Sequence, residues 1–99
     1  MSGSNDSDDR MTFGAALALL KRGGRVRRKE WERGMFLYLV PGSTFKVSRE
    51  PLLSILGEGQ EVSYAQHIDI SWRLPDGRLK SSVWEPAQYE LLAVDWEAA

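Results

Sequence analysis

The sequence predicts a small α+β domain: an N-terminal helix packed on a mainly antiparallel sheet, with short extra helices. Three observations carry this. Phe13, Ala16, Leu17 and Leu20 recur at the spacing that puts them on one helical face. Ile68, Ile70, Trp72 and Leu74 alternate with His67, Asp69, Ser71 and Arg73, as on a half-buried strand. The PDGR stretch, residues 75–78, then reads as a hairpin turn, with Gly77 supplying positive φ and Leu79–Trp84 returning as the partner strand.

Residues 1–10 (MSGSNDSDDR) are polar and acidic and read as a disordered tail ahead of one domain over residues 11–99. Thr12 is placed to cap a helix over residues 13–22. Lys21 and Arg22 suit the dipole of its last turn, and Gly23-Gly24 ends it. Arg25–Arg28 is a short strand with Val26 inward, and residues 29–34 loop around Trp31. Met35–Val40 is apolar on both faces, which suits a central strand or one at a subunit contact. Pro41-Gly42 turns the chain past Ser43 and Thr44 into an extended Phe45–Val47. Pro51–Leu56 supplies one or two helical turns, residues 57–61 a flexible loop, and residues 62–74 a single strand. Pro86 opens a helix over residues 86–93, before a final strand at Asp95-Trp96. Among the tryptophans, alternation makes Trp72 the core candidate. Trp31 and Trp84, beside loops, suit a ligand or partner surface.

With 99 residues there is room for one domain, and 42% hydrophobic with 27% charged residues is globular composition. The absence of cysteine excludes disulfides, a thiolate nucleophile and cysteine-ligated metal. A single histidine argues further against a metal site. No apolar run is long enough to span a membrane and no leader opens the chain, so a cytoplasmic location is expected. A net charge of −1 argues against general nucleic-acid binding. The charge is uneven, however: residues 21–33 hold seven Lys/Arg against two Glu, and residues 85–99 hold four acids and no base.

His67 and Asp69 share a strand face, as i and i+2 do. They could form a polar clamp or an acid–base pair, although spacing alone favours an ordinary hydrogen-bonded histidine. Ser71, Ser81 and Ser82 are sketched nearby, but no nucleophile elbow, phosphate loop or paired-carboxylate signature surrounds them, which argues against an enzyme. Arg25, Arg27 and Arg28 precede Trp31 and Phe36. Guanidinium forks and aromatic faces suit a nucleotide, and cross-strand salt bridges with core aromatics are an even alternative.

The blocks MTFGAALALLKRGGRVRRKEW (11–31), MFLYLVPGSTFKV (35–47), Pro51-Leu52, HIDI (67–70), the PDG turn and VWEPAQYELLAVDW (83–96) resemble the second Thoeris anti-defence family of short phage and bacterial proteins. The resemblance covers nearly all of residues 11–97. It implies a non-enzymatic, cofactor-free sponge that holds the cyclic ADP-ribose isomer of Thoeris defence, with some members also holding cyclic dinucleotides of CBASS defence. It implies a homotetramer with ligand pockets between subunits, and no nucleic-acid or membrane partner. On the matching blocks, Trp31, Phe36 or Trp84 would stack on the base. Arg25, Arg27, Arg28 or the backbone near Ser43 and Thr44 would meet phosphates. His67, Asp69 and Gln88 would bond ribose hydroxyls. The chain departs from the pattern in its acidic extension and at Ser48–Glu50, which leaves the choice of signal open. A non-catalytic protein-interaction or structural module using the aromatic strand is the alternative from another class.

Overall fold

The computed structural model describes residues 10–99. The expected tail lies outside these residues apart from Arg10. The first helix, α1 (Phe13–Lys21), starts where Thr12 Oγ1 accepts the Ala15 amide at 3.2 Å, satisfying one of the free donors of the first turn. It buries Ala16 and Leu20 and ends one residue earlier than predicted, with Gly23 at φ 91°. No helix among the described residues is long and apolar enough to cross a membrane.

The strands follow as β1 (Val26–Arg28), β2 (Phe36–Val40), β3 (Ser43–Lys46), β4 (Glu61–Tyr64), β5 (His67–Arg73), β6 (Leu79–Val83) and β7 (Trp96–Ala98). Helix α2 (Leu52–Leu56) lies between β3 and β4, and α3 (Gln88–Leu91) between β6 and β7. Five strands form one antiparallel sheet in the order β6-β5-β2-β1-β7, and β3-β4 make a separate two-stranded ribbon. The fold is thus the predicted α+β class.

Residues 62–74 are not a single strand. The chain leaves the ladder at Ala65-Gln66, opposite Pro41-Gly42, and the register is the same on both sides of the break: Val40 faces His67 and Ser43 faces Tyr64. The ribbon is therefore the continuation of the β2–β5 hairpin, bent where Pro41 has no N–H to give the ladder. Gly42 makes the bend possible, because a Cβ there would meet the Tyr64 carbonyl oxygen at 2.7 Å and the Gln66 amide at 3.2 Å. Both obstacles are backbone, so Gly42→Ala is expected to cost about 1–3 kcal/mol. Hydrogen exchange should show the loss concentrated in β3 and β4; uniform protection would show that the bend tolerates a methyl. The predicted 57–61 loop gives up Glu61 to β4, and the predicted 86–93 helix shrinks to α3.

One face of the main sheet is covered by α1. Ala16, Leu20, Val26, Leu37 and Trp96 are fully buried there, with Phe13, Leu39, Ile68, Ile70, Trp31 and Trp84 packed around them. Trp72 does not join this core. The nine-residue α1 is about 13 Å long. The seven-residue β5 runs about 23 Å, so its last turnward residues outrun the helix. Trp72 instead lines a hollow with Glu32, Arg33 and Met35. The core tryptophan is Trp96. Its ring meets Phe13 at 5.3 Å, Trp31 at 5.4 Å and Trp84 at 5.7 Å, the last two edge-on.

Candidate functional site

Alternation along β2 sends Leu37 and Leu39 to the helix, so Phe36, Tyr38 and Val40 point to the opposite face, which no helix among the described residues covers. Their cross-strand partners there are Ser71, Asp69 and His67 on β5, with Ser81 and Val83 next on β6. On the other side, Arg25 and Arg27 flank the inward Val26. The open face therefore assembles five of the residues singled out from sequence: Arg25, Arg27, Phe36, His67 and Asp69.

Two arrangements mark this face. The Arg25 guanidinium lies 4.8 Å from the Phe36 ring centroid, and the Phe36 and Tyr38 rings are 5.9 Å apart. Beside them runs a polar network. Tyr38 Oη reaches Asp69 Oδ2 at 3.4 Å and Ser81 Oγ at 3.2 Å, so one phenolic proton has two acceptors. Ser81 Oγ in turn bonds Ser71 Oγ, which is fully buried. Asp69 Oδ1, otherwise without a hydrogen-bond partner, lies 3.1 Å from His67 Nε2. The carboxylate is sunk between its neighbours while the imidazole is more open, at 16% and 40% side-chain exposure. A polar ligand on this face would find both donors and acceptors already placed.

The other predicted residues lie elsewhere. Arg28 faces the covered side, where its guanidinium bonds Asp95 through Nε and through Nη2 at 3.2 Å. That pairing raises the Arg28 pKa and holds the Asp95 carboxyl below its ordinary value. Trp31 packs on Trp96, and Trp84 lines a groove of about 410 Å³ with Phe13, Leu17 and Leu39. His67 borders that groove as well as the open face. Ser43 and Thr44 stand on the ribbon, where Thr44 Oγ1 and Ser63 Oγ are 2.8 Å apart. Gln88 is exposed at the start of α3.

Sequence reasoning left out Tyr38, although its place two residues beyond Phe36 puts the pair on one face of any strand. The apolar run around it conceals which face is which. Arg73 continues the His67, Asp69, Ser71 alternation and was legible from that pattern alone.

A family model described as the Thoeris anti-defense 2-like domain matches residues 11–99. The Thoeris anti-defense 2 protein of Bacillus phage SP01 is 31% identical over 96 residues, covering 89% of this chain and 93% of that relative.

Proposed function

The chain belongs to the Thoeris anti-defense 2-like family and so has an anti-defence role; from that premise we propose that it acts by binding a cyclic ADP-ribose-type signal and holding it uncleaved. The open face of the sheet is the observation that supports this reading. A sequestering protein needs affinity and no bond-breaking machinery, and this face offers recognition groups. Phe36 presents a ring to a base, Arg25 presents a guanidinium group to phosphates, and Tyr38, His67 and Asp69 present partners for ribose hydroxyls, while the Arg27 guanidinium is engaged by the Arg28 and Trp31 carbonyls and by Glu97. Among the described residues, Ser71 and Ser81 bond each other and neither bonds His67, so no activated serine is set beside the imidazole.

The same proposal includes cyclic dinucleotides as a second ligand class and a homotetramer in the host cytoplasm. Exposed Ile55, Tyr89, Leu92 and Val94 supply apolar area that self-association would bury.

Native mass spectrometry with a panel of cyclic ADP-ribose isomers and cyclic dinucleotides tests the reading. Intact ligand recovered after denaturing the complex is the expected result; cleaved ligand, or an empty protein with every probe, overturns it. Phe36→Ala is expected to weaken binding of the accepted isomer about tenfold to hundredfold, from about 1–3 kcal/mol of stacking. Unchanged affinity in titration calorimetry would remove Phe36 as the platform.

A further inference from the structure

Strand β6 lies at one edge of the main sheet. Its inner side pairs with β5, and no strand among the described residues pairs with its outer side. The hydrogen bonds at its two ends tell which backbone groups are free. The Leu74 amide donates to the Arg78 carbonyl at 2.8 Å, and the Trp84 amide donates to the Ile68 carbonyl at 2.9 Å. In an antiparallel pair, alternate residues turn their backbone groups toward the partner strand. Lys80 and Ser82 therefore face β5, and Leu79, Ser81 and Val83 aim their N–H and C=O groups outward. All five residues of the strand are exposed, Leu79 by 47% and Val83 by 58%. Those two stand on the open face, opposite Arg73 and Asp69, with Ser81 between them. Such edges are ordinarily blunted by proline, a bulge, a charge or a covering element. Here the strand has no proline, its register with β5 runs unbroken, and its one charge, Lys80, alternates to the other face.

We propose that two copies of the chain join along this edge, β6 pairing antiparallel with the partner's β6 about a two-fold axis at Ser81. The strand, LKSSV over residues 79–83, is self-complementary in that register. Leu79 meets the partner's Val83, Lys80 the partner's Ser82, and Ser81 the partner's Ser81. Each outward residue then pairs both its N–H and its C=O. Centring the pair one residue earlier would set Lys80 against the partner's Lys80, and one residue later would set Leu79 against the partner's Glu85. The inference rests on the self-association proposed above and names one of its contacts, since a tetramer built on two-fold axes needs more than one kind. It also bears on the open face. Ser81 Oγ bonds Tyr38 Oη and Ser71 Oγ, so the axis runs beside the polar network and the open faces of two copies become one continuous surface.

The test is sedimentation velocity of the full chain over a concentration series. Leu79→Glu and Val83→Lys each set a charge against an apolar residue of the partner. Within its own chain each suits its neighbour, because position 79 pairs with Arg73 and position 83 with Asp69. In the double variant the two new charges face each other across the seam, whereas within one chain they lie about 13 Å apart. Each single variant is expected to weaken association about tenfold or more, and the double variant to recover to within about threefold of wild type. Single variants that sediment as the wild type does overturn the edge contact and leave self-association standing on another surface. A double variant no better than the singles overturns the register. A wild type that is monomeric at every concentration overturns both the edge contact and the self-association. Residue-resolved hydrogen exchange of the wild type needs no variant to fold. The Leu79, Ser81 and Val83 amides should gain protection on assembly while those of Lys80 and Ser82 are protected throughout. Outward amides that exchange freely in the assembled protein overturn the proposal.

Discussion

Trp96→Ala is expected to lower the unfolding free energy by about 3–5 kcal/mol. The ring is fully buried and touches three other aromatic rings, so a small side chain leaves a cavity that α1 and the sheet cannot close. Its indole Nε1 donates to the Glu90 carbonyl at 3.0 Å, and that carbonyl would be left with the longer bond from the Ala93 amide at 3.4 Å. For a domain of this size the loss corresponds to a melting temperature roughly 15–30 °C lower. Since such domains have only about 5–15 kcal/mol in total, part of the population would be unfolded on warming. Trp72→Ala, outside the core, should cost about 1 kcal/mol. Circular dichroism melts of the two variants check this. A larger effect at Trp72 than at Trp96 would show that the core is centred elsewhere.

Asp95→Ala is the second large effect. Arg28 is only 8% exposed in its side chain, and its Nη1 has no hydrogen-bond partner. Asp95 supplies its two close carboxylate contacts, while Glu30 at 3.5 Å is itself mostly in solvent. Removing Asp95 strands a charge in the protein, which is expected to cost about 3–5 kcal/mol. The pair need not be stabilising relative to an apolar one. Arg28→Met combined with Asp95→Leu should therefore recover much of the loss, and a double variant no better than Asp95→Ala would refute that account.

The same pair sets a pH dependence. The hydrogen bond to Arg28 holds the Asp95 carboxyl below its ordinary 3.8, so the folded state releases that proton more readily than the unfolded chain. The resulting stability is present above the unfolded value and is lost as pH falls through the folded one. Arg28, whose pKa the same pairing raises, stays charged throughout. Denaturant midpoints should therefore fall below about pH 4 in the wild type, and Asp95→Asn should flatten that acid limb. An acid limb of the same slope in both proteins would assign the effect to other carboxylates.

What could be read from the chain alone was what is local. The helix was legible because its cap, its apolar stripe and its glycine stop all lie within residues 12–24. The β5–β6 hairpin was legible because alternation and turn chemistry agree. Trp96 was not legible as the core residue. It sits on a three-residue strand, too short to show a period, and is buried by partners far away in sequence at Met11 and Arg28. The bend at Ala65-Gln66 was hidden for a related reason, since the proline and glycine that cause it lie on the opposite strand. Of the candidate site, the strand residues came together because alternation is a reliable rule. Arg28 takes the covered side by the same rule, being two residues from the inward Val26, whereas Trp31 and Trp84 lie elsewhere because a loop or strand end does not declare its side.

Because α1 covers only one side of the main sheet, the side chains that fold the chain and those that would grip a ligand are nearly separate sets. Phe36, Tyr38, His67 and Arg73 answer to few neighbours above them, so exchanging them disturbs little of the packing around Trp96. A lineage of such chains could therefore shift from one signal to another by small steps on the bare side. Its thermal tolerance would stay almost constant while its ligand preference drifted.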